Sequence, residues 1–323
     1  MKNLYPWQTS LWQQFAELKQ QQRLPHALLL TGVQGLGKNR FTQNVVKSVL
    51  CLSVNTDEQA CEQCHSCQLF EAGSHPDHIE IKPEDVGKQI KIEQIRQLIE
   101  KQQLTPTISH WKTVVISPAY SMNVNANNSL LKLLEEPQQN TLIVLVTSKL
   151  EKMPITVKSR CQNLHMATPS FNQSMDWITE HSTHQNNKTT EKILQLAKGA
   201  PLAAIEMLDA QGADQYQQVE QDFNDILVGK VNPISLAATW QQFDLSQVIN
   251  QLQYNMKDRI ISNQMATNDN LASTATNKLY WKILDCIIDT TKLLSSQNNL
   301  NKTLLIEGFI VTLMQLTDKD NLQ

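Results

Sequence analysis

Short apolar runs alternate with helically spaced apolar positions along the first half of the chain. Four runs predict buried strands, at Ala27–Thr31, His78–Ile81, Lys112–Ile116 and 142–146. The stretches between them predict helices, from apolar positions at Phe41, Val45, Val46 and Val49, at Ile92, Ile95, Leu98 and Ile99, and in a segment from about 127 to 136 that Pro137 ends. Strands interleaved with helices predict an α/β fold with a parallel sheet covered on both faces.

The second half of the chain carries helical patterns alone. Beyond about residue 168 the strand patterns cease, and 174–209 predicts a small helical unit interrupted at Gly199 and Pro201. The rest keeps helical spacing at Leu245, Val248, Ile249, Leu252, Met256 and Ile260, at Tyr280, Ile283, Leu284, Ile287 and Ile288, and at Leu305, Phe309, Ile310 and Leu313. The polar segment 263–277 predicts a loop between helices. We therefore expect three domains, at 1–167, 168–211 and 212–323.

Composition and charge exclude several classes of protein. The 323 residues suffice for two or three domains, and a net charge of −3 provides no overall basic field that would attract nucleic acid. The N-terminal residues lack the apolar segment of a signal peptide, and no apolar run approaches the ~20 residues that span a bilayer. We therefore expect a cytoplasmic protein without a membrane segment, whose six cysteines are metal ligands or thiols rather than disulfides.

A glycine-rich turn follows the first predicted strand and opens the next predicted helix. It runs from Gly32 through Gly35, Gly37 and Lys38 to Asn39, and it follows the phosphate-loop pattern G-x-x-x-x-G-K-[ST] except at the last position. Glycines here let backbone N–H groups surround phosphates, and the lysine reaches the β- and γ-phosphates. Asn39 stands where a hydroxyl would bind magnesium. The alternative is a turn that keeps this shape without binding nucleotide.

The strand that carries the catalytic acids of a P-loop ATPase ends here without them. Lys112–Ile116 is followed by Ser117 and Pro118. Neither side chain offers a carboxylate to hold magnesium or to orient the attacking water. Because both magnesium anchors are altered, we expect neither tight binding of ATP with magnesium nor intrinsic hydrolysis.

A cysteine cluster interrupts the α/β pattern after the phosphate-loop helix. It consists of four cysteines within 17 residues, Cys51, Cys61, Cys64 and Cys67. Paired C-x2-C spacing brings thiolates to tetrahedral positions around zinc, and four thiolates close the coordination shell. The pattern therefore predicts a structural zinc module at 51–67, with ordinary buried thiols as the alternative. Two histidines nearby, His65 and His75, could replace a ligand.

One arginine has the chemistry to act on a phosphoryl group. Arg160 lies between Ser159 and Cys161, and we place it after the last strand of the sheet. An arginine here in a P-loop fold can face a neighbouring subunit, where its planar, permanently charged fork suits a transferring phosphoryl group. Such an arginine finger, acting in trans, accelerates the reaction by about 10³–10⁵. The alternative is a surface arginine in an ion pair worth about 0–1 kcal/mol.

Five segments in one order carry a family resemblance: 26–30, the phosphate loop, the four-cysteine insertion, 128–137 and 156–161. Together they resemble the bacterial clamp-loader AAA+ family of DNA polymerase III, and within it the delta-prime subunits. The resemblance is strong over residues 20–165. The helical remainder resembles the family only in its length and helical character. The motor subunits, tau/gamma, are similar but keep a Ser or Thr after the lysine and an Asp-Glu pair after the strand. They also carry a sensor arginine near 199–204, where this chain has none.

The resemblance implies an AAA+ P-loop domain with a zinc insertion, a small helical lid domain and a helical collar domain. It implies that Arg160 enters the ATP site of an adjacent motor subunit, that Lys38 matches the phosphate lysine and that Thr147 occupies the sensor position. The implied partners are tau/gamma and delta in a hetero-pentamer that loads a sliding clamp onto primed DNA. That complex belongs to the DNA-directed DNA polymerase III holoenzyme, a nucleotidyltransferase, and this chain would be its non-hydrolysing stator.

Two other functions stay open at the level of sequence. The chain is a tau/gamma-like ATPase if Asp85, Glu135 or Glu136 replaces the missing acids. It is a zinc-dependent nucleic-acid binder if the cysteine module holds phosphate. That second alternative conflicts with the acidic residues around the module, which are Asp57, Glu58, Glu62 and Glu71.

Overall fold

The computed structural model describes residues 4–85, 87–102, 105–182, 187–209, 212–266, 272–295 and 301–320. The chain divides into two units, the first formed by Met1–Ile178 with Ala197–Ala203 and the second by Thr179–Leu196 with Ala204–Gln323. The expected domain boundaries at 167 and 211 stay predictions.

A parallel sheet forms the centre of the first unit. Its strands are β1 (Ala27–Thr31), β2 (His78–Ile81), β3 (Lys112–Ile116), β4 (Thr141–Val146) and β5 (Gln162–His165). They lie in the order β2-β3-β4-β1-β5, and every pairing is parallel. The first four strands confirm the prediction from the apolar runs, while β5 was not predicted.

Helices cover both faces of this sheet, as the sequence pattern predicts. The first unit contains α1 (Thr9–Gln20), α2 (Lys38–Leu50), α3 (His65–Glu71), α4 (Ile92–Gln102), α5 (Val124–Glu135), α6 (Ile155–Lys158) and α7 (Phe171–His181, whose last residues belong to the second unit). Side chains alternate along β1, so Leu28 and Leu30 pack with α1 and α2 while Leu29 packs with α4 and α5. The α/β fold with a doubly covered parallel sheet is confirmed.

The boundaries of α5 and α6 decide where the candidate residues lie. The side chain of Asn123 accepts a hydrogen bond from the Ala126 N–H at 2.8 Å, so α5 begins three residues before the expected position. The single turn of α6 comes after β4 in the chain, and β5 follows α6. Placing Arg160 after the last strand is therefore wrong: Arg160 lies between α6 and β5.

The second unit is helical in all its described elements. They are α8 (Asn187–Leu196), α9 (Pro201–Asp209, whose first residues belong to the first unit), α10 (Gly212–Leu227), α11 (Pro233–Trp240), α12 (Leu245–Ala266), α13 (Ala272–Ser295) and α14 (Lys302–Asp320). Its apolar core includes the fully buried side chains of Phe223 and Trp240. The loop expected at 263–277 is wrong at both ends, because α12 continues to Ala266 and α13 begins at Ala272. In the parts of the chain that the structure describes, no helix is long and apolar enough to cross a membrane.

Candidate functional site

The glycine loop has the backbone shape that a phosphate loop needs. It joins β1 to α2, and Gly32, Gly35 and Gly37 adopt φ angles of +141°, +84° and +79°, which L-residues other than glycine rarely adopt. Gly37 is the N-cap of α2 in a left-handed conformation. The glycine pattern therefore predicted the local backbone correctly.

The lysine of the loop is turned onto the loop itself. The Nζ of Lys38 donates hydrogen bonds to the carbonyl oxygens of Gly32 at 3.0 Å and Val33 at 2.6 Å. Only 8% of Lys38 is exposed, and this burial lowers the pKa of its ammonium group to about 8. In this arrangement the loop carbonyls take the hydrogen bonds that the ammonium group would give to a phosphate.

The segment before α1 closes the loop from another side. The Nε1 of Trp7 donates to the Leu36 carbonyl at 2.9 Å, and the Nε2 of Gln8 donates to the carbonyls of Leu36 at 3.0 Å and Gly37 at 3.1 Å. Gln8 is fully buried. These contacts join residues about 28 positions apart, so no local pattern could have revealed them.

The first turn of α9 also contacts the loop. The backbone N–H of Leu202 donates to the carbonyl of Gly35 at 3.2 Å. A Cβ on Gly35 would lie 2.4 Å from the Cβ of Ala203, so the two backbones approach as closely as glycine allows. The loop is thus contacted by α9 as well as by the segment before α1.

The two residues that replace magnesium ligands bind each other. The hydroxyl of Ser117 donates to Oδ1 of Asn39 at 3.0 Å, which joins the start of α2 to the end of β3. Both line a cleft of about 370 Å³ together with Lys38, Pro118 and nearby loop residues. The described residues that line this cleft include no carboxylate. Two of the acids proposed as substitutes form ion pairs outside the cleft, Asp85 with Lys88 and Glu135 with Arg160. Glu136 is not among the described residues that line the cleft.

Thr147, at the sensor position implied by the resemblance, lies directly after β4 and is 1% exposed. Its backbone N–H donates to the Leu30 carbonyl at 2.9 Å, and its Oγ1 accepts from the Lys149 N–H at 3.1 Å. These bonds continue the β1–β4 pairing by one residue and shape the turn that follows. The geometry therefore gives Thr147 a role in ending the strand.

Arg160 is a half-exposed cation with three partners in its own chain. Its Nη2 lies 2.7 Å from Oε1 of Glu135, and its Nη1 donates to the Thr156 carbonyl at 3.0 Å and the Ser159 hydroxyl at 3.3 Å. The side chain stays 37% exposed. The structure thus contains the surface ion pair expected from the sequence as the alternative to an arginine finger. It also leaves part of the guanidinium exposed to solvent.

The four cysteines of the predicted module come together. Their sulfur atoms all lie within 4.8 Å of one another, with Cys51 to Cys61 at 3.5 Å, Cys51 to Cys64 at 3.9 Å and Cys64 to Cys67 at 3.5 Å. A tetrahedral ion with ~2.3 Å bonds to sulfur separates its ligands by about 3.8 Å, close to these distances. The described cysteines are all free, and their expected lack of disulfides stays a prediction. This cluster could bind a metal ion.

Backbone donors favour the thiolate form of part of the cluster. Burial opposes ionisation of Cys64, but N–H groups of Cys67 and Leu52 outweigh it and lower the pKa of Cys64 to about 6. Burial and the neighbouring sulfurs of Cys64 and Cys51 raise the pKa of Cys67. A cation at the centre would offset the repulsion among four thiolates.

A hydrogen-bond network that the sequence did not reveal supports the module. His75 accepts the Asp77 N–H at Nδ1 (3.1 Å), its Nε2 lies 2.9 Å from the Ser66 hydroxyl, and that hydroxyl donates to the Leu50 carbonyl at 2.7 Å. Both ring nitrogens of His75 are therefore hydrogen-bonded. His75 links the module to the approach to β2 and is not available as a replacement metal ligand. The carboxylate of Asp77 in turn accepts the N–H groups of residues 107–109 at 2.6–2.8 Å.

Comparisons with known proteins agree with this arrangement. A family model described as DNA polymerase III, delta subunit, matches residues 7–170. The DNA polymerase III subunit delta' of Pseudomonas aeruginosa is 29% identical, over 96% of this chain and 97% of that protein. The delta' subunit of Haemophilus influenzae is 30% identical, over 69% of this chain and 67% of that protein. The tau/gamma subunit of Haemophilus influenzae is 32% identical, over 55% of this chain and 25% of that protein.

The family model spans half of the chain, and the delta' relatives align along most of it. The loop, the cysteine cluster and Arg160 all lie inside the matched region. The chain therefore belongs to the family of DNA polymerase III delta-prime subunits, within the AAA+ clamp-loader proteins.

Proposed function

We propose that this chain is a non-hydrolysing stator of a DNA polymerase III clamp loader and that it supplies Arg160 to the ATP site of an adjacent motor subunit. The bond between Ser117 and Asn39 carries the proposal. These side chains stand at both magnesium anchors and satisfy each other. The described lining of the cleft that they share with Lys38 has no carboxylate, while Glu80 lines a second cleft that Asn39 and Ser117 also border. A phosphoryl-transfer site needs metal-held phosphates, so hydrolysis belongs to another subunit.

The surface around Arg160 suits contact with a neighbour. The guanidinium remains partly open to solvent, and Ile155, five positions earlier at the start of α6, is 73% exposed. Arginine is one of the residue types enriched in protein interfaces relative to the rest of the surface. The planar fork of Arg160 can bind phosphate oxygens in two parallel hydrogen bonds.

The proposal extends to the assembly. We place the chain with tau/gamma and delta subunits in a hetero-pentamer that loads a sliding clamp onto primed DNA, and its helical segment 212–323 in the collar that joins the subunits. Relatives named as delta' and as tau/gamma subunits of DNA polymerase III support these partners. A role in replication places the protein in the cytoplasm, where bacterial DNA is copied.

For the cysteine cluster we propose zinc, in a structural role. Four sulfurs near tetrahedral spacing select zinc among common biological ions, and a closed shell leaves no position for a reacting water. Acidic groups near the module are held in ion pairs, Glu58 with Lys19 and Glu71 with Lys47, so these two lysines already have carboxylate partners. We therefore do not favour the nucleic-acid-binding alternative.

The arginine role is tested in a reconstituted loader. Arg160→Ala should leave this chain folded but slow hydrolysis at the adjacent motor site by about 10³-fold or more, because the transition state loses its arginine. Single-turnover ATP hydrolysis stimulated by primed DNA should then lose one kinetic phase. Arg96→Ala, which removes an exposed arginine from α4, is the matched control and should keep every phase.

Two results would contradict the proposal. Unchanged single-turnover phases in Arg160→Ala would remove the role in trans. ATP turnover by the purified chain alone, abolished by Lys38→Ala, would instead establish the tau/gamma-like ATPase. We expect the isolated chain to show no turnover.

A further inference from the structure

The guanidinium of Arg160 is held in a defined position by its own chain. Glu135, the last residue of α5, binds Nη2, while the backbone of α6 and Ser159 bind Nη1. Two separate helices therefore fix the two terminal nitrogens. Those nitrogens are also the donors that a phosphoryl group would use.

The carboxylate of Glu135 and a phosphate oxygen thus compete for one nitrogen. Both partners of the ion pair are partly exposed, Arg160 at 37% and Glu135 at 50%, so water and salt weaken their attraction. A triphosphate carries more negative charge than one carboxylate. It can therefore displace Glu135. A neighbouring subunit without nucleotide has no phosphate oxygens to replace the carboxylate, so the ion pair stays formed.

We propose that Glu135 is a positioning residue for the arginine finger: it is the resting counter-ion that holds the guanidinium of Arg160 in place until the phosphates of an adjacent ATP replace it. This rests on the proposed role of Arg160 in trans. Because of this ion pair, Arg160 enters the neighbouring site only when nucleotide is bound there. The contacts with Thr156 and Ser159 keep the guanidinium oriented while phosphate replaces Glu135.

The resting contact is tested on the isolated full-length chain. Phenylglyoxal attacks the terminal nitrogens of arginine, and the rate at Arg160 can be followed by peptide mass spectrometry. Glu135→Gln should raise this rate about two- to fivefold, which corresponds to the loss of an exposed ion pair of up to about 1 kcal/mol. Glu136→Gln makes the same charge change one residue later and should leave the rate unchanged. Glu135→Asp, which keeps the charge, should lie between wild type and Glu135→Gln.

The exchange is tested by binding to the motor subunit. Glu135→Gln should tighten the dissociation constant for the ATP-loaded motor about two- to fivefold, because no ion pair has to be broken, and leave that for the nucleotide-free motor unchanged. The gain should vanish in an Arg160→Ala background, which a merely structural effect of the substitution would not do.

The outcomes separate the two proposals. Unchanged phenylglyoxal reactivity of Arg160 in Glu135→Gln, or equal tightening with and without nucleotide, would overturn the counter-ion role. If reactivity rises as expected but Arg160→Ala leaves hydrolysis in the loader unaffected, the resting ion pair stands and the role of Arg160 in trans fails.

Discussion

At the scale of single residues, the phosphate loop keeps its form through contacts that need no nucleotide. Lys38 donates to two carbonyls of its own loop, and Gln8 donates to two more. The acceptors of the Lys38 ammonium group are neutral carbonyls. Because burial disfavours its charged form, the pKa of this group is lowered to about 8. The loop has become part of the packed core of its unit.

The close approach of Gly35 to Ala203 gives a stability prediction. Gly35→Ala would place a Cβ 2.6 Å from the Ala203 nitrogen, whereas Gly73, also at positive φ, has nothing within 4 Å of its added Cβ. Both substitutions should lose about 1–2 kcal/mol from the left-handed conformation, and Gly35→Ala about 1–3 kcal/mol more from overpacking. Urea unfolding of both variants measures the difference. Equal midpoints would show that the loop and α9 do not pack as described.

Sequence reasoning succeeded at this scale where chemistry is local. Glycines at fixed spacing and cysteines at C-x2-C spacing constrain their own neighbourhood, so the loop backbone and the sulfur cluster could be predicted. The partners of Arg160, Ser117 and His75 could not, because Glu135, Asn39 and Ser66 come from other elements. Such pairings depend on how helices pack, which a local pattern does not encode.

At the scale of elements, the cysteine module is braced on both sides. Cys51 directly follows α2, Cys64 is the N-cap of α3, and the His75–Ser66 bond links α3 to the approach to β2. The module has few apolar residues of its own, and in modules of this kind metal binding contributes free energy to folding.

Loss of the metal should therefore destabilise the chain. Protein purified without chelator should contain about one zinc, and Cys64→Ser should lose it and melt at a lower temperature. Cys286→Ser, which changes a cysteine of α13 outside the cluster, should keep the zinc. Elemental analysis with thermal denaturation provides the measurement. Wild-type protein without zinc would refute the metal assignment.

The elements themselves were predicted unevenly. Strands with continuous apolar runs were found because both faces of a central parallel strand are buried. β5 was missed because only Leu164 of its four residues is buried, so its sequence lacks the apolar run. The break expected at 263–277 was placed too widely, because its polar end residues belong to the helices: Asn263 of α12 donates a hydrogen bond to Oδ1 of Asn277 of α13 at 3.0 Å.

At the scale of the molecule, the second unit has a core of its own. Its main apolar cluster lies between Val219 and Leu313 and includes the fully buried Phe223, Trp240 and Leu252. These residues come from α10 to α14. The segment 212–323 therefore contains the apolar contacts that a cooperative helical fold requires.

A fragment of residues 212–323 should accordingly fold alone. Circular dichroism should show a helical spectrum and a cooperative melt. In that fragment Leu252→Ala should lose about 2–5 kcal/mol because it leaves a cavity, whereas Leu304→Ala, at a site that is 65% exposed, should change stability little. A gradual melt, or equal effects of the two substitutions, would contradict an independent domain at these bounds.

The strand order has a further consequence. β2 and β5 border the sheet, where unpaired N–H and C=O groups could recruit a strand from another molecule and start aggregation. Both border strands are four residues long, and they carry Glu80 in one and Gln162 with Asn163 in the other. The polarity that hid β5 from the apolar pattern thus also protects the sheet against edge-to-edge association.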